Sequence, residues 1–461
     1  MIPKIKIVTV LIIVVAVASI FYYAWPKAPG PGPVEYPESV LSWAENIRSK
    51  YGGTELTVVM ITHPSTDAFK KMIPEFENLT GIKVNISEYD EVTYTDKLMV
   101  MLGEGTIPYD GFACAMELLP TLAMYPEFGY PEMIVPIDDF IADKSLTPEW
   151  FDFEDILPAY RDIMSYGGKT YGIMMAGETV MVMYRKDLFE KYDKEPPRTY
   201  DELLDLAKFF KEEVPEVEAG VSIRAETGFQ NMWSWGNFLY GYGGGMIDPT
   251  TMTAEFNKKE TVDSLKYFIN LCEYGPVGIL GYSFPEAWAN FREGKSAMLV
   301  EASAACPGNE DPEQSVVAGK IGYAKFPTGP AGECAGVYGT GILIPAASEH
   351  KEAMWSLIVW LTSKYNSPKY LEYGGVANRV SDLEKKTYPY YETILKTVME
   401  AGNTPLAKKM RAYYAIGPDF YPLWLSCATF MGQAQVGNIT PEEACDEMQA
   451  AAETIIAKFV G

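Results

Sequence analysis

Histidine is nearly missing from these 461 residues: only His63 and His350 occur. Cysteine is sparse as well, with six residues at 114, 272, 306, 334, 427 and 445 and no CxxC pair. Zinc sites draw on these two residue types at short spacing, so the chain is poorly supplied for a metal centre; no metal and no cofactor are expected. Basic residues are the third shortage. Lys and Arg total 38 against 62 Asp and Glu, a formal charge of −24. Such a surface repels phosphate backbones, which excludes nucleic acid as a natural partner. The sequence also has no GxSxG elbow, no HExxH and no phosphate-binding loop. Its glycine run, Gly241-Tyr242-Gly243-Gly244-Gly245, follows a helical stretch and so lacks the strand–turn–helix setting of a dinucleotide site. The chain is therefore expected not to be an enzyme.

Apolar residues make up 48% and charged residues 22%, the proportions of a folded body. The length asks for two or more globular units. One segment differs in kind. Ile7 to Trp25 is an uncharged apolar run of 19 residues behind Lys4 and Lys6. Its length suits a bilayer core, and Phe21, Tyr22, Tyr23 and Trp25 make an interfacial belt at its outer end. The basic side stays cytoplasmic, so the body is exported. Residues 1–25 read as a signal anchor or, with Ala16-Val17-Ala18 as a small-residue cleavage site, as a signal peptide. Residues 26–53 read as a Pro/Gly stalk and lead-in, since alternating Pro and Gly deny both helix and strand pairing. Outside the cell, Cys427 with Cys445 and Cys306 with Cys334 are candidate disulfides; free buried thiols are the other reading. Sequons at Asn78, Asn85 and Asn438 suit an external protein.

From Glu55 strands and helices alternate. Glu55–Thr62, Ile82–Tyr89 and Tyr109–Ala115 have strand character, with helices over Asp67–Leu79 and Tyr94–Gly103 between them. This order predicts a parallel sheet with right-handed crossovers. A second α/β set follows Tyr171. It includes a strand at Thr179–Tyr184, a capping box at Thr199–Glu202, an aromatic helix at Asn231–Tyr240 and a strand at Ala297–Glu301. Thr440 caps a closing helix with Pro441 at its first position.

Several spaced blocks carry a family likeness: Ile73-Pro74-Glu75-Phe76-Glu77 before Thr80-Gly81-Ile82-Lys83-Val84, Gly168-Lys169-Thr170-Tyr171-Gly172-Ile173 and Tyr184-Arg185-Lys186-Asp187-Leu188-Phe189. Others are Pro197-Arg198-Thr199-Tyr200-Asp201-Glu202-Leu203 and Phe291-Arg292-Glu293-Gly294-Lys295-Ser296-Ala297-Met298. In this order the chain resembles the family 1 extracellular solute-binding proteins of ABC importers over residues 54 to 461. The stretch Tyr274 to Met298 is most similar to the sugar-alcohol branch. The resemblance implies an α/β, two-lobed periplasmic-binding-protein-like (type II) fold whose lobes close on a ligand by hinge bending. It implies three inter-lobe crossovers, near 172–179, 322–328 and 370–376. The N-terminal lobe would hold 54–175 plus 326–370, the C-terminal lobe 176–325 plus 371–461. The implied partners are a small carbohydrate or polyol, ABC permease subunits, and the membrane through the N-terminal segment, for a monomer on the extracellular face.

A neutral polyhydroxy ligand needs flat aromatic faces against its C–H side and carboxylates, amides or guanidinium groups for its hydroxyls. Trp233 and Trp235 cannot share a helix face, so one is core; Trp233 is the candidate for the cleft. Gln230 and Asn231 beside it are hydrogen-bonding candidates. Trp424 matches in position a sugar-stacking Trp of the maltodextrin branch, against the reading that it packs inside an amphipathic helix. Glu178, in the first crossover, is either a hydroxyl acceptor or half of a hinge salt bridge. His63, Asp67 and Glu117 follow strands, where open parallel sheets place ligands; Ser65 or Asp67 capping a helix is the alternative. Glu301 ends its strand towards the cleft, and Tyr338 lies between glycines. Arg379 sits in a loop that relatives use for polar contacts, or else faces solvent. Ser303-Ala304-Ala305-Cys306 stands where the maltodextrin branch has another stacking Trp, which turns the ligand away from maltodextrins. Two further readings are a glycosidase using Asp138/Asp139 or Glu178/Glu301, and a ligand-sensing ectodomain, for which six residues before the apolar run leave no signalling module.

Overall fold

The computed structural model describes residues 35–129, 131–248, 250–412 and 420–460. The apolar run and the Pro/Gly-rich residues 26–34 lie outside the described residues, and none of the described helices is long and apolar enough to cross a membrane.

The order opens with α1 (Glu38–Tyr51), β1 (Glu55–Ile61), α2 (Pro64–Thr80), β2 (Lys83–Tyr89), α3 (Glu91–Gly103) and β3 (Gly111–Ala115). α1 corrects the lead-in expected at 26–53. Val40, Trp43, Ala44 and Ile47 recur at helical spacing and are buried. Trp43 lies flat against Trp360 at 6.3 Å and donates its indole N–H to the Leu146 carbonyl at 2.9 Å. Burying a ring of this size stabilises the first lobe by roughly 2–3 kcal/mol. α2 starts with Pro64 at its first position and ends at Gly81, whose φ of 72° no branched residue would adopt without strain. Its N-cap is His63, not Ser65 or Asp67: the His63 Nδ1 accepts the Ser65 N–H at 3.1 Å.

The long strand β4 (Gly172–Arg185) joins the lobes. After it come α4 (Tyr200–Glu213), β5 (Ala219–Ser222), α5 (Gln230–Gly241), α6 (Lys259–Glu273), α7 (Phe284–Arg292) and β6 (Ser296–Ala302). Then follow β7 (Ile321–Lys325), β8 (Val337–Leu343), α8 (Lys351–Thr362), α9 (Tyr391–Met399), α10 (Phe420–Gln435) and α11 (Pro441–Val460). Eight strands form one sheet in the order β2-β1-β3-β8-β4-β6-β5, with β7 also on β4. β1 pairs in parallel with β2 and β3, as the βαβαβ reading requires. The first half of β4 pairs antiparallel with β8, and its second half with β6 and β7. One strand thus carries the sheet out of the first lobe and into the second.

The other two passages fall later in the chain than 322–328 and 370–376. Phe326 packs its ring on Tyr200 and Phe238, and the Thr328 N–H donates to the Arg198 carbonyl at 2.8 Å. This stretch therefore stays with the second lobe until β8 begins. Residues 377–384 stay with the first: the Asn378 side chain accepts from the Gly177 N–H at 2.6 Å, and Ser381 donates to Asp155 at 2.7 Å. The chain reaches the second lobe only at α9, which packs on β7 and β4. Where a segment packs, rather than its place in the family pattern, decides its lobe.

All six cysteines are buried and free. Cys306 nestles against the sulfurs of Met181 and Met183 at 3.8 and 4.0 Å, far from a disulfide partner, and serves as core. Cys427 and Cys445 lie on the adjoining helices α10 and α11 without a bond.

Candidate functional site

β1 and β3 run in parallel and end side by side, so their carboxyl ends deliver Thr62, His63 and Glu117 to one opening. Glu91 enters from the first turn of α3, whose N-cap Asp90 accepts the Thr93 N–H at 3.0 Å. Glu178 on β4 and Tyr338 on β8 are register partners at the junction of the lobes. The second lobe supplies Arg224 after β5, Phe229 and Trp233 at the start of α5, and Phe284 and Trp288 on α7. Together these residues line one cleft at the junction of the lobes.

Arg224 is the hub of the second-lobe wall. It makes a bidentate pair with Glu301, 2.7 Å from Nε to Oε2 and 2.6 Å from Nη2 to Oε1, and donates to Gln230 at 3.1 Å. The guanidinium lies 3.8 Å from the centre of the Trp233 ring. Planar stacking of this kind fixes the indole as well as the cation. Gln230 continues the chain across the cleft, donating to Glu91 of the first lobe at 3.1 Å. Trp233 in turn packs on Tyr338, with ring centres 5.0 Å apart, and the Tyr338 hydroxyl donates to Asn237 at 3.0 Å. Gly336 makes room for this: a Cβ there would stand 2.0 Å from the Tyr338 ring. The neighbouring glycine serves the packing of Tyr338, not its approach to a ligand.

The first-lobe wall is acidic. His63 Nδ1 accepts from a backbone N–H, so the neutral ring carries its proton on Nε2, which faces Glu178 at 3.2 Å. Glu117 sits deep in the cleft, and burial pushes its carboxyl up to about 7, helped by the nearby charges of Glu91 and Glu178 and opposed by its own backbone N–H. A carboxyl raised in the folded state leaves folding unhindered below its ordinary value of 4.5 and costs stability as pH rises through 7. Glu117→Gln is therefore expected to change stability little at pH 4 and to raise the unfolding free energy by about 1–3 kcal/mol at pH 8. Urea titrations at both pH values check this; equal effects at the two would contradict it.

The structure brings together Trp233, Glu178, Tyr338, His63 and Glu117 on the cleft wall, with Gln230 at its edge and Asp67 at its outer mouth. Trp235 is core, donating to Ser264 at 2.9 Å. Four candidates stand elsewhere. Trp424 is 2% exposed and packs behind Phe229, whose carbonyl accepts its indole N–H at 3.3 Å; Phe229, not Trp424, faces the cleft. Asn231 is buried, donating to the Ala428 carbonyl and to Gln435, and so ties α5 to α10. Glu301 points into the second lobe to hold Arg224 and offers nothing to a ligand or to a hydrolytic water. Arg379 faces neither solvent nor the cleft: its guanidinium donates to the carbonyls of Phe151, Asp152 and Thr362, clamping first-lobe loops. Asp138 accepts the Thr170 N–H at 3.1 Å, a loop contact outside the cleft. Among the described residues, no cluster of His, Cys, Asp and Glu could hold a metal ion.

Sequence reading missed Arg224, Glu91, Phe229, Phe284 and Trp288. For α7 a signal existed: Ser283 and Glu286 form a capping box that fixes where Phe284 and Trp288 fall. Arg224 has no local signal, since its partner Glu301 is 77 residues away.

The family model described as bacterial extracellular solute-binding protein matches residues 62–366. A mannitol-binding protein of Pseudomonas aeruginosa is 27% identical over 355 residues, 74% of this chain and 79% of that protein. An erythritol/L-threitol-binding protein of Mycolicibacterium smegmatis is 25% identical over 350 residues, 72% of this chain and 71% of that protein. Among solved structures, an ABC transporter solute-binding protein from Agrobacterium radiobacter in complex with ribitol superposes with a TM-score of 0.74. It is 25% identical, covering 87% of this chain and 99% of that one. A solute-binding protein from Agrobacterium vitis with bound D-mannitol gives a TM-score of 0.76 at 24% identity, covering 88% and 99%, a likeness of fold.

Proposed function

The chain belongs to the bacterial extracellular solute-binding proteins, and on that premise we propose that it captures a neutral polyol or small saccharide by hinge closure and delivers it to an ABC permease. It is a binding protein, not an enzyme. The observation that carries the ligand class is the cleft's division of labour. Trp233, Phe229, Phe284 and Trp288 supply apolar faces from one lobe, and Glu91, Glu117 and Glu178 supply acceptors from the other. Hydroxyl groups are the donors such acceptors take, and charged acceptors make the stronger bonds. Arg224 is spent on Glu301 and Gln230. The indole N–H of Trp288 is buried without a hydrogen-bond partner among the described residues, so the residue serves the cleft through its ring. The two polyol-binding relatives support the same class.

The apolar run and the Pro/Gly segment support a tether on the outer face of the membrane. Few large apolar side chains are exposed among the described residues, Val100, Val277 and Val436 being three of them, as suits a monomer. No observation favours a sensing ectodomain.

Isothermal titration of the full-length protein against erythritol, ribitol, mannitol, glucose, maltose and glycerol phosphate tests the proposal. One-to-one binding of at least one neutral polyol or sugar is expected, with micromolar affinity or better, about −8 kcal/mol. Binding of none of them, or turnover of a glycoside, would sink it.

A further inference from the structure

The inner cleft does not end at Trp288. That residue also lines a larger groove between the lobes. Asp67 and Pro64 line both this groove and the cleft's outer mouth, so the groove adjoins the cleft. The groove has the surface a sugar ring needs. Tyr388 stacks on Tyr390 with ring centres 5.5 Å apart and planes 12° from parallel, yet keeps 38% of its surface exposed. Tyr373 stands on the first-lobe side with the Lys71 ammonium 5.5 Å from its ring centre. Between them are hydrogen-bonding groups of both kinds, Asp67 and Gln314 among them. Trp288, 7% exposed with its indole N–H unpartnered, stands where the two spaces meet.

We infer that the groove is a second binding subsite, which takes a glycosyl unit joined to the moiety in the inner cleft, so that the preferred solute is a glycoside of a polyol or a disaccharide rather than a free polyol. The inference rests on the proposed function. It adds to it because the exposed, stacked Tyr388 offers a ring-sized aromatic face outside the inner cleft, where a single short hydroxylated chain has no need of one. An aromatic face against the C–H side of a ring contributes most when the ring is held at its other end.

The test compares sorbitol with maltitol, a glucosyl sorbitol, on the full-length protein and on Tyr388→Ala. The exposure of Tyr388 lets the substitution leave the fold intact, and circular dichroism checks that it does. Maltitol is expected to bind at least tenfold tighter than sorbitol. Tyr388→Ala should weaken maltitol five- to tenfold and sorbitol less than twofold. Equal affinities for the two ligands, or equal losses for both in the variant, would overturn the inference while leaving polyol capture standing. Absence of binding by either ligand, with none in the wider titration, would overturn both.

Discussion

Replacing Arg224 with methionine is expected to abolish measurable ligand binding and to lower the unfolding free energy by about 3–5 kcal/mol. Glu301 is fully buried; Arg224 donates to both its oxygens, and the Ala302 N–H donates to Oε1 at 2.6 Å. Removing the guanidinium strands a carboxylate that water cannot reach, which costs more than the ion pair ever contributed. Binding fails for a different reason. The Trp233 ring lies 3.8 Å beneath the same guanidinium, and Gln230 is held by it, so the second-lobe wall loses its alignment. The double variant Arg224→Met, Glu301→Leu separates the two effects. It removes the stranded charge and should recover most of the stability, but not the binding. Denaturant titration and calorimetry of the three proteins are the measurements; a loss below about 1 kcal/mol in the single variant would show that Glu301 finds another partner.

The second large effect is at Trp233. Trp233→Ala should weaken the ligand at least a hundredfold, about 3 kcal/mol, the range of a central aromatic anchor. The ring is 7% exposed, held between Arg224 and Tyr338, and its orientation is fixed before any ligand arrives. A preset ring loses little entropy on binding, so its contact area goes into affinity. Trp233→Phe keeps part of the face and should fall between the two. Trp424→Ala is the control. It removes a packed side chain behind Phe229, so it should lower stability and change affinity mainly through Phe229. An affinity loss at Trp424 larger than at Trp233 would reverse their assignments.

The contrast between these two tryptophans shows what the sequence could carry. Trp233 and Trp235 are two residues apart on a helix, so periodicity alone divides them between cleft and core. For Trp424 periodicity gives no such division, and its likeness to a stacking residue in other members led to the wrong face. Phe229 takes the position in front of it. The parallel strands and the helix N-caps at Thr199 and Thr440 were legible because each is a local pattern, although Glu202 takes the Arg198 N–H and so leaves the expected box at Thr199 half formed; the crossover through Glu178 came from the family likeness. The lobe passages were displaced because Phe326 and Asn378 declare their lobe only through tertiary packing. Arg379 shows the same limit: an arginine in a glycine-rich loop looks free until three carbonyls are found around it. The Arg224–Glu301 pair, the most consequential contact of the site, joins residues that no sequence window holds together.

The most direct test of capture between the lobes is a crystal structure of the full-length protein with the tightest ligand found by titration. Ligand density is expected against Trp233, with hydroxyls on Glu178 and Glu117. Density confined to the groove of Tyr373 and Tyr388, or on either lobe away from the cleft, would contradict it.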